Sequence, residues 1–257
     1  MVMLGFIVAV GSAIAVVALS AFLFRRFGAG SEDSDPGGPS VGHAGSMLSA
    51  LFLLVFAIAI VVPWTTADSA RQNTYTESQS AVEAYWAADE LPGPAAAQVQ
   101  AGLRDYVGFV VDQEWPLMAG GRLSPEGTTR LNTLRTQVAG LVVDGEDQED
   151  AKAAVMDQIS QLSSSRRQRA ADAGATPPTI LLVLTVVTGL IVLVFPFLAG
   201  ARPKGMALLP MLAMAALLGV GIYMAFDIVH VFDGGLAVKP DAFTSALAEF
   251  GRISGLS

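Results

Sequence analysis

A chain of 257 residues with 53% hydrophobic and only 15% charged side chains falls well short of the roughly 25% charge of an ordinary soluble domain. Cysteine is absent, which excludes disulfides, thiolate metal sites and cysteine nucleophiles, and a net charge of −8 argues against a nucleic-acid partner. The charges are unevenly placed: residues 65–176 hold 16 of the 23 acidic and 9 of the 15 basic side chains, while long windows elsewhere hold none.

Met1 to Phe24 carries no charged side chain and ends at Arg25 and Arg26. At 1.5 Å per residue such a stretch crosses a hydrocarbon core of roughly 30 Å. Nothing basic precedes Gly5, so a membrane span is expected rather than a signal peptide. Residues 27–45, rich in Gly, Ser, Pro and Asp, read as a flexible loop. A second span follows from about Ser46 to Trp64, with Trp64 as an interfacial anchor and Pro63 placed to kink its end.

The polar middle reads as helical throughout. Ala70, Ala81, Val82, Tyr85 and Trp86 recur near helical spacing, so the second span continues into water until Leu91-Pro92-Gly93-Pro94 breaks it. A helix starting at Pro94 puts Val99, Leu103, Tyr106, Val107, Val110 and Val111 on one stripe, and Pro116 is expected to end it near Trp115. Ser124-Pro125-Glu126 reads as an N-cap with proline at the first helical position, ahead of an apolar face of Leu131, Leu134, Val138 and Leu141. A last helix from about Glu149 to Asp172 carries Val155, Ile159 and Leu162 and ends in the basic run Arg166-Arg167-Gln168-Arg169. Their narrow apolar faces call for packing on one another or on a neighbouring subunit.

Pro177-Pro178 suit a helix start, and the third span runs without charge to Ala201, closed by Arg202 and Lys204. The fourth runs from Met206 to Phe226 and meets Asp227. Ala215 with Gly219, and Gly221 with Ala225, are spaced for close helix approach, although small residues are common throughout this chain. The expected class is therefore an all-α membrane protein of four transmembrane helices in two hairpin pairs. Residues 1–64 form the first pair (spans about 3–24 and 46–64), 65–176 the helical polar insert, 177–232 the second pair (spans about 178–201 and 206–227) and 233–257 a tail. Arg25, Arg26, Arg202 and Lys204 fall in the two short loops, so the positive-inside rule places these in the cytoplasm and the insert and both termini outside. The expected location is a plasma membrane; the excess of Arg over Lys and the many Ala and Gly residues point to a bacterial source.

The inventory offers little chemistry. There are two histidines, His43 and His230, and no H-E-x-x-H, G-x-S-x-G, G-x-x-x-x-G-K-[ST] or G-x-G-x-x-G motif. No enzyme activity and no cofactor are expected. The acidic run Asp144, Glu146, Asp147, Glu149 and Asp150 lacks the order of ligands of an EF-hand; it reads either as a calcium site or as acids favouring the start of the next helix, and its metal stays unassigned. Asp227 and His230 share a helix face, with Asp233 following, and mark an ion or polar site at the end of the fourth span if they lie within the membrane, or an inexpensive headgroup position if they do not. Phe52 and Phe56, four apart on the second span, are candidates for a hydrophobic constriction or for packing and lipid contact.

Several stretches together resemble the bestrophin-like domain family of bacterial four-span membrane proteins. Tyr106-Val107 followed by Glu114-Trp115-Pro116-Leu117-Met118 and Gly120 is similar to its most distinctive segment. Arg166-Arg167-Gln168-Arg169 is similar to its basic signature, and Phe232-x-Gly234 with Val238-x-Pro240-x-Ala242-Phe243 to its tail. Val231 stands where the family tail often has proline. The resemblance implies kinship with bestrophins, which are pentameric ion channels with a pore made by the second spans and a helical cytosolic vestibule. It thus implies a homo-oligomeric ion channel in a lipid bilayer, with Phe52 and Phe56 at the constriction and the insert in the cytoplasm. The alternative is a non-conducting accessory or assembly subunit of a larger membrane complex, suggested by the lack of polar lining in the spans.

Overall fold

The computed structural model describes residues 2–27, 39–175, 179–200, 206 and 208–255. Among them every regular element is helical: α1 (Val2–Phe27), α2 (Pro39–Asp89), α3 (Gly93–Phe109), a π-helical turn (Val110–Glu114), α4 (Trp115–Met118), α5 (Pro125–Ala139), α6 (Glu146–Gly174), α7 (Thr179–Leu198), α8 (Leu208–Ile228) and α9 (Asp241–Ile253). Pro177, Pro178, Arg202 and Lys204, on which the third span's start and the charge of one loop rest, lie outside the described residues.

Two compact units divide the chain, Met1–Thr65 with Thr176–Val229, and Thr66–Ala175 with His230–Ser257. The first contains the apolar helices. Gly42–Asp89, Ile180–Leu198 and Leu208–Ile228 each contain a stretch long and apolar enough to cross a membrane, and α1 contributes the apolar stretch Ile7–Leu23. Close approach of α1 to α8 depends on Gly219, where a Cβ would lie 2.9 Å from the Cα of Val10 and 3.1 Å from the carbonyl oxygen of Ala9. Gly221 instead makes room for a side chain of α2, since a Cβ there would lie 2.5 Å from the end of the Phe56 ring. Ala215 and Ala225 are fully buried. The small residues of the fourth span thus lie at packed positions, and at Gly219 the missing side chain permits close approach of another helix.

The second unit has an aqueous-type core. The inward stripe of α2 is Ala70, Thr74, Glu77, Ala81, Ala84 and Ala88, spaced alternately four and three apart and buried throughout, with buried Leu91 just beyond its end. Val99, Leu103 and Tyr106 of α3 and Val110 of the π turn join it, with Leu131, Leu134 and Val138 of α5, Val155, Ile159 and Leu162 of α6, and Phe243 and Phe250 of α9. The tail is integral to this core: Phe250 stacks on Tyr85 with ring centroids 4.3 Å apart. Arg104 donates to the Tyr85 hydroxyl, the Phe250 carbonyl and Ser254 Oγ at 3.1, 3.3 and 3.0 Å, closing the end of α9.

Helix boundaries depart from expectation in four places. α2 begins at Pro39, so residues 39–45 are helical rather than loop, and Pro63 sits inside an uninterrupted helix. α3 starts at Gly93, capped by Pro92, instead of at Pro94. α6 spans Glu146–Gly174 rather than about 149–172, because Glu146, Asp147 and Glu149 in its first turn favour the positive end of the helix dipole. Pro116 does not end the third helix. The chain stays helical through a π turn in which the Trp115 N–H returns to the Val110 carbonyl. Proline at 116 has no N–H for the carbonyl of Asp112 and would clash with it in an α turn; widening to a π turn relieves both.

A buried glutamate–arginine cluster at the candidate functional site

The second unit encloses four charged side chains that face inward from three segments. Glu77 comes from α2, Glu114 from the π turn, and Arg166 and Arg169 from the last turns of α6. Glu77, Glu114 and Arg169 are wholly buried, and Arg166 nearly so. Each occupies a slot of an otherwise apolar stripe, Glu77 between Thr74 and Ala81, and the arginines one and two turns beyond Leu162. The π turn does for Glu114 what spacing does for the others, since the extra residue per turn swings position 114 onto the inner face.

Every one of these four side chains is hydrogen-bonded within the cluster, and Arg166 Nε alone among its guanidinium nitrogens is buried without a partner in the described residues. Arg169 donates from Nε to Glu77 Oε2 at 2.7 Å and from Nη2 to Glu77 Oε1 at 2.9 Å, a bidentate pair. The same Nη2 reaches Glu114 Oε2 at 2.9 Å, and Nη1 approaches the Met118 sulfur at 3.0 Å. Glu114 Oε1 accepts from Arg166 Nη2 and, at 3.1 Å, from the Ser124 N–H. Arg166 also donates to Thr128 Oγ1 at 2.8 Å and to the Ser124 carbonyl at 2.6 Å, so it ties α6 to the start of α5. The Tyr106 hydroxyl donates to Glu77 Oε1 at 2.8 Å. Two carboxylates against two guanidiniums leave no net charge, the condition under which buried ions persist. Trp115 and Phe243 place their rings 5.9 and 5.4 Å from the Arg169 guanidinium carbon, and Phe232 meets Trp115 edge-on, so aromatic faces seal the cluster from water.

The electrostatics follow. Burial pushes the Tyr106 hydroxyl well above its ordinary value, and the neighbouring Glu77 carboxylate pushes it further; the phenol stays a donor. Burial alone would lower Arg169, but the Glu77 carboxylate overrides it and holds the guanidinium charged more firmly than usual. The arrangement binds and orients its own side chains. It contains no open coordination position, and no group of three or more acidic or histidine residues able to hold a metal exists among the described residues.

Of the residues singled out in the sequence, the structure brings together Tyr106, Glu114, Trp115, Arg166 and Arg169. Arg167 and Pro116 lie at the exposed surface. Glu77, Thr128 and Gly127 escaped notice, though an acid on the apolar stripe of α2 is a readable signal of a buried partner. Phe52 and Phe56 stack with centroids 5.5 Å apart, half-buried, on the same face of α2 as buried Val55, Ala59 and Pro63. A Cβ at Gly189 would lie 3.4 Å from the Phe52 ring, so these rings engage α7 and α8 of their own chain. Asp227 accepts a hydrogen bond from Tyr223 at 3.5 Å within α8. Asp233 accepts from the Gly234 N–H at 2.9 Å and donates its own N–H to the His230 carbonyl.

Comparison with known proteins follows from this arrangement. The family model described as Bestrophin-like domain matches residues 11–243, a range that holds all four charged members of the cluster. The chain belongs to the Bestrophin-like domain family. It is accordingly a membrane protein of that family, and the buried cluster is part of a bestrophin-like fold. A mutated form of a bacterial bestrophin homolog from Klebsiella pneumoniae, solved as a crystal structure, is similar to it with a TM-score of 0.71 at 12% identity, over 99% of this bestrophin-like chain and 98% of the other. No curated protein matches it at a significant level.

Proposed function

We propose that this protein is a non-enzymatic, homo-oligomeric ion channel of the plasma membrane. Four spans are arranged in two pairs, and the α2 spans surround the ion pathway. The observation that carries the reading is a fold shared with a bestrophin homolog over nearly the full length of both chains. Two features support it. α1, at 26 residues with the apolar stretch Ile7–Leu23 inside it, is longer than the roughly 20 residues that cross a bilayer, which supports a fourth span. α2 is a single helix from its apolar half to Asp89, as expected of an element that continues beyond the membrane.

Purified protein reconstituted in liposomes is expected to pass small ions and to have a detergent-corrected mass of several chains. A monomer without flux overturns the channel; a non-conducting particle recovered from native membranes with a different protein favours an accessory subunit. The positive-inside rule and the family resemblance assign the polar insert to opposite sides. Labelling of a Thr136→Cys variant by a membrane-impermeant maleimide in intact cells decides between them, since the chain has no other cysteine.

A further inference from the structure

Arg167 stands apart from its neighbours. Arg166 and Arg169 turn inward to the glutamates, while Arg167 is exposed and has no hydrogen-bond or ion-pair partner among the described residues. On the other side of α6 lies a groove of about 510 Å³ bounded by α2, α6 and α9, with Tyr75, Gln79, Glu83, Gln158, Gln161 and Glu249 among its walls. Its only charged residues are the two glutamates. Glu83 accepts from Gln79 at 2.6 Å, and Glu249 has a distant, exposed partner in Arg252 at 3.7 Å, which lies off the groove wall. Next to the groove the outer face of α2 presents Tyr75 and Trp86, 53% and 50% exposed, the residue types that anchor protein interfaces.

From Gln158 to Arg167 is nine residues, about half a turn around the helix at roughly 100° per residue. The unpaired cation and the acidic groove thus face in opposite directions from one helix. Complementary patches on opposite sides of one subunit make a heterologous contact, which repeats head to tail and gives a ring when the rotation between copies closes. We propose that the α2–α6–α9 groove receives Arg167 of a second copy of this chain, with Glu83 and Glu249 as its counter-charges and Tyr75 and Trp86 supplying contact area. This rests on the homo-oligomeric reading above. A partly exposed ion pair of this kind sets register and orientation more than strength.

The absence of native cysteine permits a direct test. A double variant, Glu83→Cys with Arg167→Cys, is treated in native membranes with a short bis-maleimide linker; a ladder of covalent multimers is expected, and none from either single variant. In parallel, Arg167→Glu is expected to lower the fraction of full-size particles in detergent, and Arg167→Glu combined with Glu83→Arg to restore it. A full-size wild-type particle with no ladder and an Arg167→Glu variant of unchanged mass overturns this interface while leaving the oligomer intact. A wild-type monomer overturns the functional reading itself.

Discussion

Replacing Arg169 with methionine is the sharpest test of the buried cluster. The side chain is fully buried and makes three charge-assisted hydrogen bonds, two to Glu77 and one to Glu114. Methionine fills most of the volume, so the loss is electrostatic. Two carboxylates then share a dry site with Arg166 alone, and the balance of charge moves from zero to minus one. Removing one member of a buried ion pair costs about 3–5 kcal/mol, a large share of the roughly 5–15 kcal/mol that holds a folded protein together. For a chain of this size that corresponds to a fall in melting temperature on the order of 10 °C. The assay is thermal unfolding in detergent followed by circular dichroism, with the particle's mass checked at low temperature. Adding Glu77→Gln to Arg169→Met removes the uncompensated carboxylate, so the double variant is expected to melt above the single. A fall of less than about 2 °C for Arg169→Met, or strict additivity of the pair, would refute the reasoning.

Gly127→Ala is expected to destabilise by about 1–3 kcal/mol, because its Cβ would stand 2.7 Å from Arg166 Nε and Nη2 and 2.9 Å from Glu114 Oε1; urea unfolding measures it, and Gly108→Ala, where nothing lies within 4 Å, is the control. Tyr106→Phe is expected to cost about 1 kcal/mol at neutral pH for the lost hydrogen bond. Its pH dependence has a definite sign. The folded phenol ionises well above 10.0, so below that pH both folded and unfolded states hold the proton. As pH rises past it only the unfolded state releases the proton, and stability falls until the folded value is reached. Melting temperatures between about pH 8 and 11 should therefore decline less steeply in Tyr106→Phe than in the parent. In a conducting particle, Phe52→Ala and Leu54→Ala separate two faces of α2, the half-buried one packed on Gly189 and Gly221 and the exposed one. An effect on single-channel conductance confined to Leu54→Ala places the pathway on the exposed face.

Much of this molecule was legible without coordinates, for reasons that are local. Apolar runs long enough to cross a bilayer declare themselves residue by residue, and the inward stripes of α3, α5 and α6 follow from helical spacing alone. The family resemblance likewise drew attention to Tyr106, Glu114, Trp115, Arg166 and Arg169. Boundaries at proline were harder. Whether Pro116 stops a helix or is absorbed by a π turn depends on the packing around Glu114, and Pro63 lies inside α2 without ending it.

The bilayer character and the helical class were thus set by the sequence by itself, because hydropathy and periodicity are properties of neighbouring residues. The meaning of the charges was decided by tertiary structure. Glu77 and Arg169 are 92 positions apart, and no local pattern pairs them; an acid on one stripe and arginines on another become a neutral, sealed cluster only when α2 and α6 pack face to face. The same packing turns Arg167, the middle of three similar arginines, outward. A helix has one inner face, and residues one or two apart cannot all share it.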